Sequence, residues 1–307
     1  MIVLLETLHP DAEAALRAVA DVVLADTPTT FPDVDRAAVV AVLTRGLGRV
    51  DRQLFESLPS VRVVARCGAG LDNIDLAAAE ERGVDVVHAP GVTTTAVAEH
   101  AIMLMLALAR RVHQLSAATA TDEWAIRDGY VGTELAGRRL GVLGLGRIGK
   151  RVAQLAAAFE MDVVAWSGRG DAAVPTLPLD QVLATSDVVQ ICTALTPETR
   201  GLLDAERLAT MRPGSLLVNT ARGPIVDHTA LENALDAGRP AGYAADVWDP
   251  EPPRAEPLLT RADVLVTPHV AALTDTTYRR LCLGPATAVA AIVRGDTPDP
   301  SFLYGSS

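Results

Sequence analysis

The sequence predicts an α/β protein built from two doubly wound parallel sheets. Short apolar runs alternate with helical segments along most of the chain. The alternation falls into two blocks, separated by one long apolar helical segment, Thr94 to Ala118. At 307 residues the chain is long enough for two hydrophobic cores, and its length suggests about two domains.

In the first block, Ile2 to Leu5, Val22 to Ala25, Val39 to Leu43, Val61 to Ala65 and Val84 to Val87 read as strands. Asp11 to Val19, Asp51 to Leu58 and Asn73 to Arg82 read as helices between them. Such alternation means a parallel sheet covered on both faces, whose working loops lie at the carboxyl ends of the strands. Two of those loops stand out. Thr44-Arg45-Gly46 follows the third strand, and Arg66-Cys67-Gly68-Ala69-Gly70-Leu71-Asp72-Asn73 follows the fourth. The second is a glycine turn in which Asp72 or Asn73 is expected to cap the next helix. Its N–H groups around Gly68, Ala69 and Gly70 are also expected to form an anion nest suited to a carboxylate.

Thr94 to Ala118 reads as one helix with Val97, Ala101, Leu104, Leu108, Val112 and Leu115 on a nearly continuous apolar face. It is too apolar for a surface and is expected to cross between two domains or to pack on a partner chain. His100 and His113 lie on it and carry no assigned role. A polar stretch, Thr119 to Gly132, follows. In the second block the strands are Asp162 to Ser167, Asp187 to Cys192, Ser215 to Thr220, Ala241 to Val247 and Asp263 to Thr267, with helices at Asp204 to Met211 and Asp227 to Ala237. The last helix, Thr274 to Arg294, is expected to break at Gly284-Pro285, where a regular hydrogen-bond ladder cannot continue.

The second block opens on Arg139-Leu140-Gly141-Val142-Leu143-Gly144-Leu145-Gly146-Arg147-Ile148-Gly149, the order strand, tight turn, helix, with glycines spaced G-x-G-x-x-G. Gly144 permits the turn, Gly146 lets the main chain approach phosphates, and Gly149 allows the helix to pack closely on the strand. The helix N-terminus offers free N–H groups and a partial positive charge, so the stretch reads as a pyrophosphate site.

The formal net charge of −11 argues against a nucleic-acid groove. Cys67, Cys192 and Cys282 have no metal-like spacing and read as reduced structural thiols of a cytosolic protein. The start lacks a basic region before its first acid, Glu6, and the longest apolar run, Ala101 to Ala109, is about half of what a bilayer span requires. No membrane association is expected.

Three polar residues fall just beyond strand ends of the nucleotide sheet. Arg222 follows Asn219-Thr220, Glu251 follows Asp246-Val247, and His269 follows Thr267-Pro268. This is the set that hydride transfer to a 2-oxo acid requires. A nicotinamide supplies the hydride and a histidine the proton, a carboxylate keeps that histidine protonated and oriented, and an arginine binds the substrate carboxylate and polarises its carbonyl.

Taken in order, these motifs resemble the D-isomer-specific 2-hydroxyacid dehydrogenases, including the glyoxylate/hydroxypyruvate reductase and phosphoglycerate dehydrogenase types. The likeness spans nearly the full length and rests on Arg66 to Asp75, Val97-Ala98-Glu99, Gly144 to Gly149, Asn219 to Gly223, Asp246 to Pro252 and Thr267-Pro268-His269. The resemblance implies a smaller, flavodoxin-like substrate domain over 1–97, rejoined by 282–307, and a Rossmann cofactor domain over 98–281. It implies catalytic roles for Arg222, Glu251 and His269, and substrate contacts at Gly68, Ala69 and Gly70. NAD(P) would be bound by Gly144, Gly146, Arg147, Ile148, Gly149, Ser167, Arg169, Thr193, Thr220 and Asp246, with Asp246 near the nicotinamide amide. A homodimer through the long helix and the arm after it is also implied. Gln190 to Thr196 departs from the family's usual His-x-Pro-Leu-Thr.

Ser167 stands where an NAD-type unit usually carries the aspartate that holds the ribose hydroxyls, and Gly168 and Arg169 follow it. NADPH is therefore expected to be accepted at least as well as NADH. Arg45 is expected to meet a second polar or anionic end of the substrate, as in hydroxypyruvate or a small dicarboxylate. Two other classes share these features. A corepressor-like nucleotide sensor keeps the whole triad, and a formate-type dehydrogenase typically pairs its histidine with glutamine instead of Glu251.

Overall fold

Both blocks of alternation fold as parallel sheets in this computed structural model, which describes residues 1–168, 173–254 and 256–305. The chain divides into two units, Met1–Thr93 with Leu273–Ser307, and Thr94–Ala272. The sequence reading places those divisions at 97/98 and 281/282.

The first unit runs β1 (Ile2–Leu4), α1 (Pro10–Arg17), β2 (Val22–Leu24), β3 (Ala41–Thr44), α2 (Arg52–Ser57), β4 (Val63–Arg66), α3 (Leu76–Glu81) and β5 (Asp85–Val87). Among the described residues its sheet has the order β2-β1-β3-β4-β5, all parallel. That is the flavodoxin-like order, with a reversal of direction beside β1. Alternate strand residues face opposite ways. Ile2, Leu4, Leu43 and Val63 join one buried cluster, and Val3, Val42 and Val64 join the other. Asp75, not Asp72 or Asn73, caps α3, its side chain accepting from the Ala78 N–H at 2.9 Å. Asn73 is drawn away, because its Nδ2 donates to the Gly48 carbonyl at 2.6 Å.

The second unit begins with α4 (Thr94–Ala109) and α5 (Val112–Ala120), two helices where the sequence suggests one. Arg111 between them sits in the left-handed region at φ 50°. The segment after the arm takes over the carbonyls of the helix end. Thr133 N–H donates to Ala109 O at 3.0 Å and the Tyr130 hydroxyl to Arg110 O at 2.8 Å, while Arg111 lies over the Tyr130 ring. The apolar periodicity runs through this break without a glycine or proline to mark it.

Next come β6 (Arg139–Leu143), α6 (Arg147–Ala158), β7 (Asp162–Trp166), α7 (Leu179–Thr185), β8 (Val188–Ile191), α8 (Ala205–Thr210), β9 (Leu216–Asn219), α9 (His228–Asp236), β10 (Gly242–Ala245) and β11 (Val264–Val266). The sheet order is β11-β10-β9-β8-β6-β7, parallel throughout the described residues. Residues of α4 and α6 bury one face, and residues of α7, α8 and α9 the other. The strand order reverses between β6 and β8, and the rule for such sheets puts a ligand at the carboxyl ends beside that point.

The chain returns to the first unit with α10 (Asp275–Arg294), which is continuous through Pro285. Proline forfeits one backbone hydrogen bond there. Burial of Leu281, Cys282, Pro285, Ala286 and Val289 holds the helix together across the gap, so the expected break does not occur. Gly284 has another use, since a Cβ at that position would run into the Phe302 ring.

Candidate active site

At the reversal point of the second sheet, β6 ends in the glycine loop. Gly144 has φ 103°, and a Cβ on it would lie 2.8 Å from the backbone N and Cα of Thr193, so glycine lets this loop and the one after β8 abut. A Cβ on Gly149 would overlap the Gly144 carbonyl oxygen. Gly146 differs, for a Cβ there meets no atom within 4 Å. Gly146 is the N-cap of α6 and supplies no side-chain acceptor to the first-turn N–H groups, where Arg147, Ile148 and Gly149 lie. Close backbone approach together with open N–H groups suits the phosphates of a dinucleotide.

β9, β10 and β11 each lead into a loop that carries one of the polar residues singled out above, Arg222, Glu251 and His269 respectively. His269 and Glu251 meet, Glu251 Oε2 accepting from Nδ1 of His269 at 2.7 Å. Oε1 of the same carboxylate accepts the Trp248 N–H at 2.9 Å. Burial pushes the Glu251 carboxyl up. The hydrogen bond and charge of His269, the Trp248 N–H and the Arg222 charge outweigh it and hold the group below the usual carboxylate range. Arg222 is extended, with Nη1 donating to Ala221 O at 2.7 Å and its carbonyl accepting from Asn219 Nδ2 at 2.9 Å. Gly223 beside it has no room for a Cβ, which would strike the Trp248 carbonyl, so the Arg222 turn packs onto the backbone that holds Glu251.

The turn carrying His269 is fastened by Asp246, which is 1% exposed. Its Oδ1 accepts from Thr267 Oγ1 at 2.6 Å and from the Val270 N–H at 2.9 Å, and Oδ2 accepts from the Ala271 N–H at 2.8 Å. The His269 N–H donates to the Asp246 carbonyl at 2.9 Å. This clamp holds His269 at φ 54°, a conformation few residues other than glycine adopt. Asp246, expected near the nicotinamide amide, thus has both carboxylate oxygens engaged with residues 267–271. His100 joins the clamp, with Nε2 3.0 Å from Thr267 Oγ1. Because that hydroxyl gives its proton to Asp246, it accepts from His100. Sequence reasoning gave His100 no role, since its partners lie far along the chain. Thr220 is met by Gln190, whose Nε2 donates to Thr220 Oγ1 at 2.9 Å. Gln190 opens the stretch that departs from the family pattern. Ser167 follows β7 directly, and Arg169 lies outside the described residues.

In the first unit the loop after β4 has all three of its carbonyls tied. Gly68 O accepts from the Ala89 N–H, Ala69 O from His88 Nδ1 at 2.9 Å, and Gly70 O from Arg66 Nη1 at 2.6 Å. Among the described residues the N–H groups of Ala69 and Gly70 have no acceptor. That is the polarity of an anion nest. Arg45 lies after β3, its guanidinium over the Tyr278 ring and Nε 3.9 Å from Glu6 Oε1. Cys67 and Cys282, distant in sequence, are neighbours here, with the Cys67 thiol 4.0 Å from the Cys282 carbonyl, and all three cysteines are free.

Among the described residues no helix is long and apolar enough to cross a membrane. The profile of the family described as D-isomer specific 2-hydroxyacid dehydrogenase, NAD binding domain, matches residues 102–271. D-3-phosphoglycerate dehydrogenase of Mycobacterium tuberculosis (strain ATCC 25618 / H37Rv) is 37% identical over 318 residues, which cover 99% of this chain and 59% of that enzyme. The chain therefore spans well under two thirds of that curated relative. Among solved structures, the TT0316 protein of Thermus thermophilus superposes with a TM-score of 0.89 at 34% identity, covering 99% of both chains. D-lactate dehydrogenase of Aquifex aeolicus, complexed with NAD and lactic acid, gives 0.86 at 26% identity over 96% of both. With the profile covering more than half of its length, the chain belongs to the D-isomer specific 2-hydroxyacid dehydrogenase family.

Proposed function

We propose that this protein interconverts a small D-2-hydroxy acid and its 2-oxo acid with a nicotinamide cofactor. The observation that carries the reading is the 2.7 Å pairing of His269 Nδ1 with Glu251 on strand-end loops of the unit that holds the glycine loop. When bound, the nicotinamide supplies or accepts the hydride. The protein's own residues then manage the proton and the anion. With Nδ1 committed to Glu251, Nε2 of His269 is the nitrogen that donates to the developing alkoxide in reduction and takes the proton back in oxidation. Glu251 orients the ring and balances its charge. Arg222 binds the substrate carboxylate and polarises the carbonyl. For the first unit we propose that the loop of Gly68, Ala69 and Gly70 binds a substrate carboxylate through the N–H groups of Ala69 and Gly70, the Gly68 N–H being already given to the Arg66 carbonyl at 2.8 Å, and that Arg45 meets the other end of the molecule.

On the cofactor side we propose contacts from Gly144, Gly146, Arg147, Ile148, Gly149, Ser167, Arg169, Thr193 and Thr220. NADPH is proposed to serve at least as well as NADH, since Ser167 places a hydroxyl where a carboxylate would repel a 2′-phosphate. Arg169→Ala is then expected to lower kcat/KM for NADPH by roughly ten-fold more than for NADH, a charge-assisted contact being lost. Strong NADH preference in the wild type, indifferent to that substitution, would sink the idea.

A homodimer and a cytoplasmic location complete the proposal. Val112, Trp124, Ile126 and Val131 leave apolar surface on α5 and the arm, Trp124 at 66% and Val131 at 82% exposure. The free thiols suit a reducing compartment. The test of function is a screen of 2-oxo acids with both reduced cofactors. Turnover of any of them supports the enzyme. Tight cofactor binding without turnover supports the corepressor-like sensor instead. Oxidation of formate, assayed separately with the oxidised cofactors, in the absence of any 2-oxo acid turnover would favour the formate-type reaction, against which Glu251 in place of glutamine already counts.

A further inference from the structure

Glu6, just past the end of β1, is 7% exposed and ionised in a place where an uncharged group would be less costly to bury. One of its oxygens, Oε2, gathers four donors. Thr44 Oγ1 lies at 2.7 Å, and the N–H groups of Arg45, Gly46 and Gly48 at 2.8, 2.9 and 3.2 Å. The loop after β3 is thus wrapped around a single atom. Gly48 makes that wrapping possible, since a Cβ there would lie 2.7 Å from the Leu5 side chain. A neutral acceptor could hold the same loop.

The charge finds its use at the second oxygen. Oε1 stands 3.9 Å from Arg45 Nε, while Arg45 Nη1 is 3.4 Å from the Tyr278 hydroxyl and the guanidinium lies over the Tyr278 ring, 5.6 Å from its centroid. The Glu6 carboxylate thus flanks the Arg45 guanidinium at one edge within ion-pair range but without a hydrogen bond, since the buried Nε has no hydrogen-bond partner, the Tyr278 ring covers one face, and among the described residues Nη2 has no partner. A guanidinium fixed in this way presents its remaining donors in one orientation, which suits a planar anion.

We infer that Glu6 is a positioning residue that fixes Arg45 to receive a second anionic group on the substrate, an inference that rests on the 2-oxo acid reading above. The chemistry is that of a 2-oxo acid whose chain ends in a carboxylate or phosphate.

Oxaloacetate and 2-oxobutyrate have the same carbon skeleton length and differ in whether a second carboxylate ends it. For Glu6→Gln the preference for oxaloacetate, as a ratio of kcat/KM values, is expected to fall by about ten-fold, with the change in KM and not in kcat. In an Arg45→Ala background the same substitution should cause no further fall, because its effect passes through that side chain. Tyr278→Phe, which keeps the ring and removes the hydroxyl, should shift the ratio in the same direction by less. An unchanged ratio, or full additivity with Arg45→Ala, overturns the inference. The Nε–H resonance of Arg45 in ¹⁵N-labelled protein provides a readout free of turnover. It moves in Glu6→Gln if the carboxylate positions the guanidinium, and an unmoved resonance overturns the inference. If the wild type reduces no 2-oxo acid, the functional reading falls by itself and the resonance still decides the role of Glu6.

Discussion

Two buried carboxylates, Glu6 in the first unit and Asp246 in the second, each hold a strand-end loop, and they spend their oxygens differently. Asp246 divides its bonds between both oxygens, and every partner is a group of the 267–271 turn or its support. Glu6 concentrates four donors on one oxygen and leaves the other facing a charged side chain. The first arrangement sets a backbone shape and presents a histidine. The second sets a backbone shape and also steers an arginine. The difference shows how a hydrogen-bonded anion can be closed off as scaffold or kept half available for electrostatic work.

Substitutions at these places either break that contrast or sharpen it. The largest effect is expected at the residue Asp246 presents. His269→Ala should lower turnover about 100- to 10,000-fold in both directions, measured by steady-state kinetics, because a positioned acid/base contributes that much. Near wild-type rates would remove His269 from the chemistry.

A smaller effect is expected from Asp246→Asn, whose amide would set N–H against N–H at the Val270 or Ala271 end of the clamp. Equilibrium denaturation should show a loss of about 1–3 kcal/mol, the cost of leaving buried donors unsatisfied. Glu6→Gln keeps an acceptor oxygen for its four donors and should lose less. The reverse ranking would erase the distinction between the two carboxylates.

The smallest effect lies in pH dependence. Glu6 and Glu251 both have folded-state carboxyls below the usual range. For Glu6 burial opposes the shift, and Thr44 with the loop N–H groups overcomes it; for Glu251 burial is likewise overcome, chiefly by His269. Groups with depressed folded values bind fewer protons in the native state, so their stabilisation is present above the unfolded carboxylate pKa and is lost as pH falls through the folded one. The deficit of Glu6→Gln should therefore be full at neutral pH and shrink in strong acid. Denaturation curves across that range check it, and a deficit constant with pH would mean that the charge of Glu6 contributes nothing.

The elements of both sheets were legible because strands buried on both faces leave unbroken apolar runs such as Ile2 to Leu4 and Leu140 to Leu143. Helix α7 was missed, being short, capped by no side chain and burying only Val182 and Leu183. The break at Arg111 and the continuity through Pro285 were misread for a shared reason. Each depends on a partner distant in sequence, Tyr130 and Thr133 in one case and the buried surroundings of α10 in the other. The site divides in the same way. Arg222, Glu251 and His269 could be picked out because each follows a strand end. The supports of those loops could not, since Glu6 is 38 residues from Thr44 and His100 is 167 from Thr267.

The left-handed backbone of His269 has a bearing on any library made at that position. Replacements would be sorted by two independent demands, the chemistry of the side chain and the energy of a positive φ. Glycine and asparagine enter that conformation at low cost and bring no charge beside Glu251, so they should yield the best-folded inactive proteins, whereas valine and isoleucine should yield the poorest. Asparagine at 269, rather than alanine, is thus the comparator that isolates the proton-transfer step from the geometry of the chain.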